Sequence, residues 1–531
     1  MSRNSRIILA KNIRLDKGYK NIINYDENNM LNLIESNKVS ESFNYSFIKI
    51  GENKISVGIP YGLCLKANYI AMQNPSYENK WFFAFIDKVE YSSEKSTIIH
   101  YTIDELSTWH DYYTISDCFV VREHVNDDEF GLHTIPENLE YGDYIYNQEI
   151  TTDFGTKENS LICFAISDDS VISTQGQPVS RSYGGIFSGL WYIIMKDNQS
   201  AVNFIKKVDS LAKADAIVSV FMIPSELGGL QISWGSEGSE EDNTLIEYGW
   251  LWNNTNPVSL DVEDISMNLT LDSYVPKNKK VLAYPYNALM VSNNNGQNHI
   301  YRYEDFNDKN DIKFDIRGSV TPGCSIKCIP LNYKNVSRNY EYSIPCGKFP
   351  ICSWNTDTYI NWITQNGVNV GLGVASQVIG LGASLITGNV LGGIGTGIGI
   401  AQSLGQVRAQ SMIPDQARGN INSGDINYTL DRNNFSFYKV SIKREYAKII
   451  DDYFTRQGYK VNTIKTPNIT GRRYWNYVQI GNEENIGYST SDKIPVPKNS
   501  MDIINSIFRQ GTTIWHNHNN IGNFSLDNSI I

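Results

Sequence analysis

The chain is 531 residues long and 41% hydrophobic, with a formal net charge of −11 and a pI near 5.3. Its apolar content excludes a disordered chain, and its length exceeds what one hydrophobic core fills, so about three units are expected. The acidic balance excludes a broad nucleic-acid-binding surface, which needs clustered Lys and Arg to neutralise phosphates; an acidic wall still lets DNA slide past without sticking.

The opening MSRNSRIILAKN has only Ile7 to Ala10 as an apolar run. A signal peptide needs about 7–15 such residues, so the chain is expected to be made and assembled in a cytosol. Abundant Tyr, Asn, Ile and Thr predict a mainly β protein with a few short helices. Phe43–Ile50 and Lys54–Ile59, separated by Gly51-Glu52-Asn53, read as a hairpin. Trp81–Tyr91 and Ser96–Tyr101 read as another around Ser92-Ser93-Glu94. Thr102-Ile103-Asp104-Glu105 fits a capping box opening a short helix to Trp109.

A second unit is expected over 150–275. Ser200 opens a helix to about Ala214 with Phe204, Val208 and Leu211 on one face, and Ile217–Ile223 reads as a buried strand. Gly235–Asp242 reads as an exposed acidic loop. Strands resume at Val281–Tyr286 and Leu289–Ser292, followed by the turn signal Asn293-Asn294-Asn295-Gly296. Asp357 can cap a helix from Thr358 to Asn366. Phe435–Ile442 reads as a strand, Lys443–Gln457 as an amphipathic helix ending at Gly458, and Asn476–Ile480 as a strand. Ser500 caps Met501–Phe508, and Gly511 ends that helix. The expected boundaries are 1–149, 150–275, and a discontinuous unit of 276–357 with 430–531, interrupted by an insert over 358–429.

That insert holds the unusual chemistry. Thr358–Val407 contains no Asp, Glu, Lys or Arg, in a chain that is 19% charged. About a dozen glycines alternate with Val368, Val370, Leu372, Val374, Val378, Ile379, Leu381, Leu385, Ile386, Val390, Leu391, Ile394, Ile398, Ile400 and Leu404. Thr387-Gly388-Asn389 splits the segment into two arms of roughly twenty residues, close to the length of a bilayer-crossing helix. Burying an aliphatic side chain is worth about 1.5–3 kcal/mol, and each glycine costs a helix about 1 kcal/mol. The segment therefore seeks an apolar environment without being committed to one shape. Small-xxx-small spacings such as Gly388/Gly392 permit close helix approach in lipid. A buried core hairpin is the plainer reading, and a conditional membrane-insertion loop the sharper one.

No G-x-S-x-G elbow, Walker loop, HExxH helix or CxxC pair occurs, so no catalytic residue, cofactor or metal site is assigned and no enzyme is expected. Glu123, His124, Asp127, Asp128 and Glu129 could form an acid/base or metal cluster, but contiguous carboxylates after a strand read better as a solvated connection. His516 and His518 lack an obvious third ligand. Cys324, Cys328, Cys346 and Cys352 have loose spacing for zinc and read as free thiols.

Several runs resemble the tail knob (distal tail tube) proteins of Salasvirus-type short-tailed bacteriophages. They are NIRLDKGYKNII (Asn12–Ile23), WFFAFIDKVEYSSEKSTIIHYTIDELSTWH (Trp81–His110) and VVREHVNDDEFGLHTIPENLEYGDY (Val120–Tyr144), with AYPYNALMVSNNNGQ, IDDYFTRQGYKVN, RRYWNYVQI and INSIFRQGTTIWHNH further on. The resemblance implies a homohexameric, β-rich tube at the distal tip of a virion tail, built from tube-forming domains. It implies that long apolar loops plug the lumen, then emerge and insert into the host membrane to open a path for the genome. The implied partners are other copies of the chain, other tail proteins, the host membrane, and viral DNA passing without specific binding. The alternatives are a tail-associated cell-wall hydrolase or a receptor-binding or structural virion protein without membrane activity.

Overall fold

The computed structural model describes residues 6–43, 53–74, 78–152, 160–173, 182–183, 186–187, 190–224, 234–250, 258–294, 296–318, 326–346, 351–355, 435–481, 488–490 and 494–531. The fold is mainly β, with short helices. The chain divides into two compact units: Met1–Asp143 with Ser273–Tyr286 and Ile442–Ile531, and Tyr144–Asp272 with Asn287–Ser441.

The first unit carries two main sheets. The larger runs in the order Lys38–Phe43, Arg6–Ala10, Tyr69–Asn74, Lys80–Ser93, Ser96–Ile103, Lys54–Val57. Successive side chains point to opposite faces, and here both faces are covered. Ile8, Ala10, Tyr69, Phe83 and Phe85 meet Met30 and Ile34 of helix Glu27–Ser36, while Ile7, Leu9, Ile70, Met72 and Ala84 pack with Ile55, Val57 and Ile99. Double burial explains why Arg6–Ala10 reads as a continuous apolar run. Asp26 starts the helix, accepting from Asn29 N–H at 2.7 Å.

The hairpin at Lys80–Ser93 and Ser96–Ile103 matches expectation. Lys54–Val57 instead pairs with Ser96–Ile103, and the strand described upstream, Lys38–Phe43, pairs with Arg6–Ala10. Residues 44–50 of the expected partner lie outside the described residues. Pairing across the sheet buries Ile55 and Val57 against Ile99, which local turn chemistry does not reveal. The short helix is Glu105–Trp109, and its cap is Asp104, accepting from Ser107 N–H at 3.2 Å, rather than Thr102.

The second sheet orders Asn21–Ile23, Thr512–Trp515, Trp475–Ile480, Cys118–Glu123 and Tyr459–Lys465. Its parallel pair joins strands from opposite ends of the sequence. Helix Arg444–Gln457 buries Ala447, Ile450 and Phe454 and ends at Gly458. A side chain at Gly458 would meet Glu123 O at 2.0 Å, and its φ of +65° favours glycine. Helix Lys498–Gln510 begins after Pro497, two residues before the expected cap Ser500, and ends at Gly511.

In the second unit, a six-stranded sheet runs Trp234–Glu237, Ile246–Trp250, Trp191–Met195, Ser160–Ile166, Ile217–Pro224, Ile351–Asn355. Helix Asn198–Ser210 covers it with Phe204 and Val208; Asp197 caps it, and Leu211, expected on the inner face, is 45% exposed. Gly235–Asp242 begins as strand Trp234–Glu237 and turns at Gly238. A second sheet contains Val258–Ile265, Ile312–Gly318, Ile326–Tyr333, Val336–Arg338 and Ile344–Cys346. A third orders Tyr144–Thr151, Ser436–Ile442, Asn287–Ser292 and Asn298–Tyr301, its hairpin turning at Asn294 and Gly296.

The expected strand Val281–Tyr286 is not one: Lys279–Leu282 is a 3-10 turn. Pro285 has no N–H for a ladder, and Asn278 and Lys280 are tied to the buried carboxylates Asp451 and Glu137.

Candidate functional site: anchors of the charge-free segment

Thr358–Val407, the fifteen aliphatic residues from Val368 to Leu404, and the expected helix Thr358–Asn366 lie outside the described residues. The strands that flank them are described. Ile351–Asn355 is an edge strand, pairing antiparallel with Ile217–Pro224 in the register Met222↔Ile351 and Ser219↔Asn355. Ser436–Ile442 is central, held by Tyr144–Thr151 on one side and Asn287–Ser292 on the other.

The return is firmly seated. Phe435 and Phe437 are buried, and the Phe437 ring lies 4.9 Å from that of Phe314. Phe435 O accepts from Thr152 N–H at 3.0 Å, and Phe435 N–H donates to Thr152 Oγ1 at 3.0 Å. Buried backbone groups must find partners, and this exchange satisfies both at the first described residue after the segment. Among the described residues, no helix is long and apolar enough to cross a membrane.

The sequence also offered an acidic run, and here the solvated-connection reading needs correction. Glu123 is fully buried on strand Cys118–Glu123, accepting from Lys465 Nζ at 2.6 Å and Asn468 N–H at 2.7 Å. His124 is buried too; its Nδ1 accepts from Tyr477 N–H at 2.7 Å and its Nε2 donates to Thr455 O at 3.0 Å. Burial, aided by Arg472 and Arg122, lowers its pKa to about 3, so it stays neutral. Asp128 accepts from Tyr459 Oη at 2.7 Å, and Asp127 lies 3.1 Å from His133. Asp127 and Glu129 are exposed. The run is thus split between the interior, with Glu123 and His124, and solvent, with Asp127 and Glu129. Among the described residues, no group of three His, Cys, Asp or Glu could hold a metal ion.

His516 bonds Asn476 at 3.0 Å, and His518 Nε2 accepts from Arg14 N–H at 3.0 Å. Cys64, Cys118, Cys163 and Cys328 are buried and form no disulfide, while Cys324 lies outside the described residues.

Sequence reading missed a buried ionic centre. Glu137 accepts from Arg122 and Lys280, and from Lys460 N–H at 2.9 Å. Its partners lie 15, 143 and 323 residues away, so no local pattern marks it.

Similarity to known proteins places the chain among the structural tail proteins of phages. Residues 3–114 match the family described as caudoviral major tail protein N-terminus. The solved structure of the bacteriophage C1 tail knob protein gp12 superposes with a TM-score of 0.59 at 14% identity, covering 99% of this chain and 100% of that one. Residues 252–529, more than half the chain, match the family described as Bacillus phage phi29, tail knob protein gp9, C-terminal domain, and the chain belongs to that family. It is 24% identical to the tail knob protein gp9 of Bacillus phage phi29 and 26% identical to that of Bacillus phage PZA, with 93% of each chain covered. It is therefore a tail knob structural protein of a short-tailed phage and a component of the virion tail.

Proposed function

We propose that this tail knob protein assembles as a ring of identical copies with other tail proteins, and that its charge-free segment plugs the lumen until infection. On triggering, the segments move into the host membrane and open a channel through which DNA passes without specific contacts. The ring is a homohexamer by resemblance to its family.

The carrying observation is compositional: an uncharged run of fifty residues, 358–407, within an acidic chain, bounded by strands seated in folded sheets. Ring closure would bring the apolar segments together, so each copy shelters the next from water. The wall-hydrolase alternative loses two of its candidate residues, because Glu123 is tied to Lys465 and Asn468 and His124 to Tyr477 and Thr455.

Vesicle leakage tests the reading. A chain lacking Val368–Leu404 that still assembles is expected to lose leakage. Leakage equal to that of the intact chain would reject the membrane role.

A further inference from the structure

Within the second unit, the sheet of Val258–Ile265, Ile312–Gly318, Ile326–Tyr333 and Val336–Arg338 turns one face to the core, burying Val262, Phe314, Ile316 and Cys328. Alternation sends Asp315, Arg317, Lys327, Ile329 and Arg338 to the other face. Register sets them side by side. Asp315 stands opposite Ile329, Arg317 opposite Lys327, and Arg338 opposite Leu331 on the next strand.

A buried carboxylate lies at the centre of this face. Asp315 is 0% exposed, and its Oδ2 accepts from Arg317 Nε and, at 2.7 Å, from Arg338 Nε. Its Oδ1 is buried with no hydrogen-bond partner among the described residues. Both arginines are partly exposed, so the carboxylate is withdrawn and the cations face water. Each guanidinium is anchored through Nε, and its terminal Nη groups have no partner among the described residues. Lys327 is exposed and has no ion pair among the described residues.

Like charges directly opposite across a ladder repel, and Arg317 and Lys327 are so placed, with Arg338 drawn to the same carboxylate. One carboxylate does not balance three cations. Asp261, opposite Asp315, is exposed and stands on strand Val258–Ile265, on the side away from Lys327 and Arg338. Ile329 between them is buried, which leaves an apolar floor that screens charge poorly. Guanidinium forks suit oxyanions. Two forks and an ammonium outnumber the two oxygens of a carboxylate or the two unesterified oxygens of a phosphodiester. A terminal phosphate offers at least three oxygens and a charge close to −2.

We propose that Arg317, Lys327 and Arg338, with Asp315 holding the two guanidiniums, form a site for a terminal phosphate, either inorganic phosphate or a phosphate monoester. The site stands apart from the proposed membrane role and discriminates against the diester backbone of passing DNA.

Calorimetric titration of the full chain with inorganic phosphate at constant ionic strength tests it. Saturable binding is expected, weakened by about tenfold or more in Lys327→Gln and in Arg338→Gln. Arg338→Lys keeps the charge but loses the fork, so it should weaken binding too. Lys95→Gln, at an exposed cation of the first unit, should not. Denaturant unfolding of Lys327→Gln without phosphate should match that of the intact chain, which keeps the test clear of misfolding. A nucleoside monophosphate separates the sources: affinity equal to that of inorganic phosphate assigns a monoester, and no binding assigns free phosphate. A dinucleotide with no terminal phosphate should bind at least about tenfold more weakly. Failure of the intact chain to bind either phosphate, binding unchanged in Lys327→Gln and Arg338→Gln, or equal binding of the dinucleotide overturns the proposal.

Discussion

The carboxylate-tied first unit and the charge-free segment 358–407 treat order in opposite ways. In the first unit, Glu123, Glu137 and Asp451 are withdrawn from water, and each is met by donors from distant parts of the chain. A buried charge tolerates few arrangements, since losing a partner leaves it unpaired in a poorly solvating interior. The segment 358–407 has the reverse composition, aliphatics and glycines with no charge. Apolar contacts are non-directional, so such a sequence can exchange one apolar environment for another. One region is suited to a fixed frame, the other to repacking.

The largest expected effect would break the frame. Glu137→Ala leaves Arg122 and Lys280 buried without their shared carboxylate and should cost about 3–5 kcal/mol in denaturant unfolding. A loss within experimental scatter would remove buried charge as the organising feature of the first unit.

Next comes the segment. Ile394→Asp places a charge mid-arm and should disfavour insertion by about 2.5–3.5 kcal/mol. It should abolish vesicle leakage while leaving the unfolding of the first unit unchanged, which would sharpen the contrast. Unaltered leakage would argue against lipid contact at that position.

His124 gives a pH signature confined to the frame. Its folded pKa, about 3, lies below the ordinary 6.5. The neutral form therefore stabilises fully above pH 6.5, and the contribution is lost as pH falls from 6.5 towards 3. The loss reaches about 2 kcal/mol by pH 5. Stability measured against pH should slope less steeply in this window for His124→Gln; identical slopes would mean that His124 does not titrate as its burial requires.

The smallest effect is expected at Lys80. Its side chain is buried, donates to Thr108 O at 2.5 Å and lies 3.8 Å from the centre of the Tyr112 ring, and burial pushes its ammonium down to about 8. The opposing Glu27 carboxylate is partly exposed, 3.5 Å away. Glu27 keeps some solvent contact, so Lys80→Met should cost about 1–2 kcal/mol, less than Glu137→Ala. A loss like that expected for Glu137→Ala would show that this cation, too, is a staple.

Local patterns made much of the fold legible. The 80–103 hairpin, helix Arg444–Gln457 with its terminal glycine, and the Asn287–Tyr301 hairpin follow from periodicity and turn residues. What escaped was non-local. Lys54–Val57 finds its partner across the sheet, and Val281–Tyr286 has strand-like residues but is drawn into the carboxylate ties. Glu123 and His124 looked solvated because the carboxylates that follow hid a continuous buried stretch from Arg122 to Val125, which distant partners create. The charge-free segment was legible from composition alone, whereas the seating of its return required the fold.

The central claim is that this segment leaves one apolar environment for lipid. An environment-sensitive fluorophore at position 394 of the assembled chain, mixed with vesicles carrying a quencher in their acyl chains, reads that transfer directly. On triggering, the account predicts strong quenching at 394 and none from a fluorophore at exposed position 502 in the first unit. Leakage without quenching at 394 would contradict it.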